Sequence, residues 1–349
     1  MTEFITIGRA EKDFNAYLNG TFSKDFRAIP RTSLNVDQDN EVVTFELIPV
    51  QQIKKTWYAW LQALRLHYVI VVLWPIVLVA LSRKSVHWLV FATVFFTLSA
   101  LQISINLMND YFDYVKGFDR LFPNSGSQVI QSGLFAAYDL RNLGLLIALF
   151  AAIGGGILCV SVPKLWILVL VLVLLLGWEF WAEKLSFRVL GLSEAIVFVF
   201  AGPLLTTASA WTFFQSIQQQ DILLGFSVGL FTLWPLHTKN FCNIMSSSQK
   251  GARNWVTLFG FDRSKKFLKY WYLVSLAMVT VYQLFDGLYG SALVCIVVFL
   301  TIGRDCLRRI ESVQSCLGSD LIIARAQSFR VYFSIIFSWV LNKIYVYLA

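Results

Sequence analysis

Residues 88–107 read WLVFATVFFTLSALQISINL, a run with no charged side chain. As a helix rising about 1.5 Å per residue it measures roughly 30 Å, the depth of a bilayer's hydrocarbon core. A helix is also the form in which one segment satisfies its own backbone in lipid. Similar apolar runs fill Leu143–Val162 and Leu165–Trp181, and Val69–Leu81 is extended by its flanks. The pattern predicts an all-α polytopic membrane protein with about nine spans, near 68–82, 88–109, 142–162, 164–181, 194–214, 222–240, 269–285, 289–303 and 331–347.

Composition agrees. Of 349 residues 57% are apolar, 16% aromatic and 14% charged, against about 25% charged in soluble domains. A soluble enzyme is thereby disfavoured. An outer-membrane barrel is excluded, because its strands alternate apolar and polar residues and do not form continuous apolar blocks. The net charge of +8 resides in loops between spans, where topology explains it better than nucleic-acid binding does. Arg83, Lys84, Lys164 and Lys343 supply nearly all the cations on one side. On the other lie the rest, so the positive-inside rule places the N-terminus and the loops 110–141, 182–193, 241–268 and 304–330 in the cytoplasm. In a bacterial host the membrane is the inner one.

The first apolar run begins only near Tyr68 and is expected to be an uncleaved span. Residues 1–55 are expected to be a polar cytoplasmic extension, with 56–349 forming the membrane domain. Within the extension Val42–Leu47 alternates and is compatible with a strand. Asn19-Gly20-Thr21 is a sequon on the side where glycosylation does not occur. Cys159, Cys242, Cys295, Cys306 and Cys316 show no CxxC spacing and read as reduced thiols. His67, His87 and His237 stand apart and read as interfacial or packing residues. Segment 304–330 is basic and amphipathic and is expected to lie along the membrane surface.

Polar residues concentrate where the second predicted span reaches the cytoplasmic face: Asn106-Leu-Met-Asn109-Asp110-Tyr-Phe-Asp113-Tyr-Val-Lys116-Gly117-Phe-Asp119-Arg120. At about 100° per residue, Asn109, Asp110 and Asp113 share one helical face. Carboxylates at a helix C-terminus face the negative end of the dipole and call for a cation. Mg²⁺ suits such oxygens, since it takes one or two carboxylates and completes its shell with water and phosphate. The plainer reading is a solvated helix end. Gly117 and Pro123-Asn124-Ser125-Gly126 mark the following segment as a loop able to fold back over a site.

The run Asn-x-x-Asn-Asp-Tyr-x-Asp-x-x-x-Gly-x-Asp at 106–119 resembles the first aspartate motif of the UbiA superfamily of intramembrane prenyltransferases, most of all its menaquinone branch, the 1,4-dihydroxy-2-naphthoate polyprenyltransferases. Trp60-Leu61-x-Ala63-x-Arg65, Gln131-Ser132-Gly133-Leu134 and Gly191-Leu192-x-Glu194 with Phe198-x-Phe200-x-Gly202-Pro203 extend the resemblance in the same order. It implies a bundle of nine helices, a Mg²⁺ cofactor and transfer of a polyprenyl group from its diphosphate to an aromatic acceptor, beside membrane lipid. The second motif departs from the family pattern: Asn240, Gly251 and Arg253 match, whereas Asn243 and Ser247 occupy the aspartate positions and Cys242 the arginine position. Gln128 replaces a basic residue.

On this resemblance Asn109, Asp110 and Asp113 hold the Mg²⁺–diphosphate group, and Asp119 supports them or contacts the acceptor. Lys239, Asn240, Asn243, Ser247, Lys250 and Arg253 form a weakened second site in which positive charge partly replaces metal. Arg65, Lys116, Lys184 and Arg188 are cations placed to hold phosphate or to orient the spans, and Glu194 is a carboxylate at a span's start with a substrate-linked role. Aromatic faces would steady a prenyl cation. Two other readings remain: a catalytically impaired relative that only binds isoprenoid, motivated by Asn243 and Ser247, and a transporter.

Overall fold

The computed structural model describes residues 3–31, 42–53, 57–115, 117, 126–162, 164, 190–249, 251, 253–315 and 319–349. The predicted span 164–181 falls, but for Lys164, outside them, as do Lys116, Asp119, Lys184, Arg188, Lys250 and Cys316. The chain is an all-α membrane protein with one small sheet at its N-terminus. The sheet consists of β1 (Glu3–Gly8), β2 (Phe26–Pro30) and β3 (Val42–Pro49), with α1 (Phe14–Asn19) between the first two strands. Helices α2 (Trp57–Leu64), α3 (Leu66–Ala80), α4 (Trp88–Val115) and α5 (Ala137–Ser161) follow. After them come α6 (Ser193–Val199), α7 (Leu205–Phe214), α8 (Gln219–Cys242), α9 (Ile244–Gln249), α10 (Trp255–Phe259), α11 (Phe261–Phe285), α12 (Tyr289–Val298), α13 (Arg304–Ser312) and α14 (Ser319–Leu348).

Eight predicted spans coincide with these helices. Trp88–Val115, Ala137–Ser161, Ser193–Phe214, Tyr289–Ser312 and Asp320–Leu348 are each long and apolar enough to cross a bilayer, and α2 with α3 makes a sixth candidate bent by 54°. Helices α8 and α11 are as long, but Asp221, His237 and Lys239 in α8 and the cations at the start of α11 dilute their apolar character. The described residues divide into two compact units, Met1–Ile70 with Phe96–Gly156, and Val71–Phe95 with Ile157–Ala349.

In the first unit the alternation of 42–47 resolves as β3, the middle strand of an antiparallel sheet ordered β1-β3-β2. Val43 and Phe45 point inward and are fully buried. Their core is shared with Ala59 and Ala63 of α2, Leu107 and Tyr114 of α4, Val129 and Ile130, and Leu140 of α5. The N-terminal segment is therefore packed onto the start of the membrane helices, because its inward face is too small to form a core alone. Two glycines permit the approach. Gly20 (φ 73°) has Ala136 Cβ 3.1 Å from where its own Cβ would stand, and Gly133 (φ 73°) has Ile29 Cδ1 at 2.8 Å. Both need the left-handed conformation that side chains resist.

In the second unit α6 runs into α7 through a π-helical turn, Phe200–Leu204, at Gly202-Pro203. A Cβ on Gly202 would lie 2.5 Å from the carbonyl oxygen of Gly225, and one on Gly225 would lie 2.6 Å from Pro203 Cα. Small residues thus let this broken helix touch the backbone of α8, the usual way helices associate where lipid offers no hydrophobic drive. A second π turn, Phe299–Gly303, joins α12 to α13.

The expected surface helix at 304–330 is instead two helix ends. Helix α13 continues α12, and residues 319–330 are the first turns of α14. Cys306 donates to Ala324 O at 3.2 Å and Gln327 to Asp305 Oδ2 at 2.5 Å, so the amphipathic pattern records packing of these two ends on each other. On the opposite, sparsely charged set, Arg83 pairs with Asp221 and Lys343 with Asp286.

Gly225→Ala should lower the thermal midpoint in detergent, by an amount corresponding to about 1–3 kcal/mol of overpacking. Gly155→Ala, with no described atom within 4 Å of the added methyl, should leave it unchanged or raise it; equal effects of the two substitutions would refute the close approach.

Candidate functional site

The first unit assembles its polar cluster around a backbone irregularity. Between α2 and α3, Arg65 has φ 46°, a conformation few non-glycine residues adopt. The break frees the carbonyl of Leu64, which accepts from Asn106 Nδ2 at 2.9 Å; Asn106 Oδ1 in turn accepts from Gln102 at 2.8 Å. The guanidinium of Arg65 is ion-paired to Asp110 Oδ1. The other oxygen of Asp110 accepts from Ser127 Oγ at 2.5 Å. Asp110 is 1% exposed, so an unpaired charge there would be costly.

Ser127 is the residue that sequence reading missed. It follows Gly126 (φ 74°) and precedes Gln128 (φ 60°), and Val129 and Ile130 anchor the segment in the core shared with the sheet. Tyr111 donates to Asn19 Oδ1 at 3.4 Å, another tie between the N-terminal segment and the motif. Asn109 and Asp113, four residues apart on α4, are both partly exposed. Their oxygens are hard donors of the kind Mg²⁺ takes, while among the described residues no three His, Cys, Asp or Glu side chains gather into a metal-holding group. Asp110 has one protein partner on each oxygen, Arg65 on Oδ1 and Ser127 on Oδ2.

The second unit brings Glu194 and Asn240 together. Glu194, wholly buried at the start of α6, accepts at Oε1 from Asn240 Nδ2 (2.9 Å) and from the backbone N–H of Trp255 (3.1 Å). Gly191 (φ 76°) makes this possible: a Cβ there would stand 3.2 Å from Arg253 O, so the segment carrying Trp255 can close over the turn. Asn254 starts α10 by accepting from Thr257 N at 2.9 Å.

Lys239, Asn243 and Ser247 follow along the end of α8 and α9. Asn243 leaves the helical conformation and caps α8, and Ser247 N donates to its carbonyl. Arg253 is exposed. Cys242, at the arginine position of the motif, donates instead to Leu321 O at 3.1 Å, so this residue holds α14. Nearby, His237, Leu233, Trp255, Phe267 and Trp271 gather around Glu194 and leave no space between them large enough for a water molecule.

The profile of the UbiA prenyltransferase family matches residues 68–314, well over half of the chain. No curated protein matches closely enough to count as a relative. A solved structure of a digeranylgeranylglyceryl phosphate synthase in membranes superposes with a TM-score of 0.53 at 12% identity, covering 82% of this chain and 98% of that one. At such identity the likeness is one of fold.

Arg65→Leu should destabilise the protein by about 3–5 kcal/mol by leaving Asp110 buried without its partner. Adding Asp110→Leu should restore most of that loss. If the double variant melts no higher than the single one, the pair is not what holds the α2–α3 break.

Proposed function

The chain belongs to the UbiA prenyltransferase family, and from that premise we propose that it transfers a polyprenyl group from polyprenyl diphosphate to an aromatic acceptor such as 1,4-dihydroxy-2-naphthoate, in quinone biosynthesis. In this reading the enzyme sits in a bacterial inner membrane with its N-terminus and site toward the cytoplasm, and uses Mg²⁺. What supports the reading is the end of α4, where the partly exposed Asn109 and Asp113 share the helix whose buried Asp110 is ion-paired to Arg65.

The chemistry requires the carbon–oxygen bond of the allylic diphosphate to break, with negative charge growing on the leaving oxygens. When bound, Mg²⁺ neutralises part of that charge. Asn109 and Asp113 would hold the ion. Arg65 is the cation closest in kind to a phosphate clamp, a planar guanidinium whose direction its ion pair with Asp110 sets. Asp110 acts through Arg65, and Ser127 acts through Asp110. Lys116, Asp119, Lys184, Arg188 and Lys250 remain candidates from their positions in the sequence.

In the second motif the family's two aspartates are Asn243 and Ser247. These are neutral oxygen ligands or hydrogen-bond donors, and Lys239 and Arg253 supply positive charge directly to phosphate. The same substitutions favour a second reading, a relative that binds isoprenoid diphosphate without transferring it.

Membranes containing the protein, incubated with Mg²⁺, labelled polyprenyl diphosphate and 1,4-dihydroxy-2-naphthoate, should yield prenylated product and free diphosphate. Chelating the metal should stop turnover, and Asp113→Ala should abolish it. Binding of the diphosphate with no product, reversed by Asn243→Asp together with Ser247→Asp, would establish the second reading in place of the first.

A further inference from the structure

At the cytoplasmic end of the second unit two neighbouring helices carry exposed stripes that turn from apolar to basic at one depth. Along α12, the π turn and α13 the stripe is Leu293, Val297, Leu300, Arg304 and Arg308; along α11 it is Leu284, Val281, Ala277, Leu273, Tyr270 and Lys266, every one of them exposed. The helices touch over this length. Lys265 Nζ donates to Val313 O at 2.7 Å, and the Tyr272 hydroxyl donates to Phe299 O beside Gly303. Lys269 and Glu311, both exposed, pair at 3.1 Å and join the two stripes at their basic ends. At about 1.5 Å per residue, Arg304 and Arg308 lie roughly 22 and 28 Å along the helix from Tyr289, and Lys266 roughly 28 Å from Phe285. A hydrocarbon core of about 30 Å gives way to headgroups at such depths.

Three cations at the basic ends are uncommitted. Among the described residues the side chains of Lys266, Arg304 and Arg308 form no ion pair or hydrogen bond, because the nearby carboxylates are taken: Asp305 by Arg309 and Gln327, Glu311 by Lys269. We infer that this face is the seat of one anionic phospholipid, whose phosphate lies among Lys266, Arg304 and Arg308 while its acyl chains follow the two apolar stripes. The positive-inside rule asks only for cations on this side. It does not ask that they stand unpaired, at one depth, at the ends of exposed apolar stripes on touching helices. Stretches 253–269 and 304–330 hold ten Lys/Arg against four Asp/Glu, so the surroundings favour a net negative headgroup. A zwitterionic headgroup brings its own ammonium and loses much of that attraction. Guanidinium groups also match phosphate oxygens in pairs. A second copy of the chain laid on the same face would set these cations against their like. None of the three belongs to either motif, so the inference stands apart from the proposed transfer reaction.

The test adds phosphatidylglycerol or phosphatidylcholine of identical acyl chains, each with a diazirine in one chain, to the full-length protein in detergent micelles and counts retained lipid by native mass spectrometry. One phosphatidylglycerol should be held about tenfold more tightly than one phosphatidylcholine. Photolysis should place its adducts between Leu293 and Leu300 or between Leu273 and Leu284. Arg304→Gln with Arg308→Gln should bring the two lipids to within about twofold of each other, with the thermal midpoint unchanged when no lipid is added. Arg325→Gln with Arg330→Gln removes the same charge from the same side and should leave the preference intact. If the first double variant misfolds, Lys266→Gln alone should cut the preference about threefold. Equal retention of the two lipids by the wild type, which needs no variant, overturns the inference. So does a preference lost equally in both double variants, the mark of a general positive field, and so do adducts away from both stripes. A dimer that shields the stripes from labelling in phosphatidylglycerol gives the face to a second copy and overturns it as well.

Discussion

The ion pair between Arg65 and Asp110 is the contact on which the first unit's polar architecture depends. A buried carboxylate near the end of a membrane helix needs a partner close by, since neither lipid nor the C-terminal end of a helix stabilises it. Arg65 answers that need, and its left-handed backbone is strain of a kind that persists only where surrounding contacts impose it. Bending the chain there releases Leu64 O, and Asn106, one turn before Asp110, takes it up. The same two residues of α4 therefore hold both the charge and the backbone consequence of the bend. Ser127 closes the remaining oxygen and so fixes the start of the segment on which the N-terminal sheet sits.

Cohesion in the second unit comes from close backbone approach. Gly202, Gly225 and Gly229 leave no room for a Cβ between α8 and the π turn; a Cβ on Gly229 would lie 2.7 Å from Phe198 O. That approach sets where α6 begins relative to α8, and hence that the first turn of α6 and the last turns of α8 can share a hydrogen bond between Glu194 and Asn240. The motif around Gly191 and the motif around Asn240, which look independent in the chain, are one structural object joined at a single carboxylate oxygen.

Most of the helical frame was legible because an apolar run of span length has few other solutions. The cluster Asn106 to Asp113 was legible for a related reason: polar residues so close to lipid are dense only where something holds them. What escaped reading was whatever depends on contacts distant in sequence. The strand at Val42–Pro49 showed only a short alternation, and its packing partners lie in α2, α4, α5 and residues 129–130. Ser127 was one hydroxyl in a turn-rich stretch. At 304–330 a charged face opposite an apolar one describes a helix on a membrane as well as a helix against its neighbour, and only the Cys306 and Gln327 contacts separate the two.

The altered second motif follows the same electrostatic logic with the sign reversed. Replacing two aspartates by Asn243 and Ser247 removes two negative charges from a segment that keeps Lys239 and Arg253, so its potential moves positive whatever else those cations touch. A divalent ion gains most where carboxylates gather, and a polyanion gains most where they are missing. On the proposed function, then, the end of α4 taken by itself suits an ion carrying phosphate, and the end of α8 taken by itself suits phosphate. The cysteine at the motif's arginine position fits that division, because a thiol turned toward Leu321 O serves the packing of α14 and leaves the charge to its neighbours.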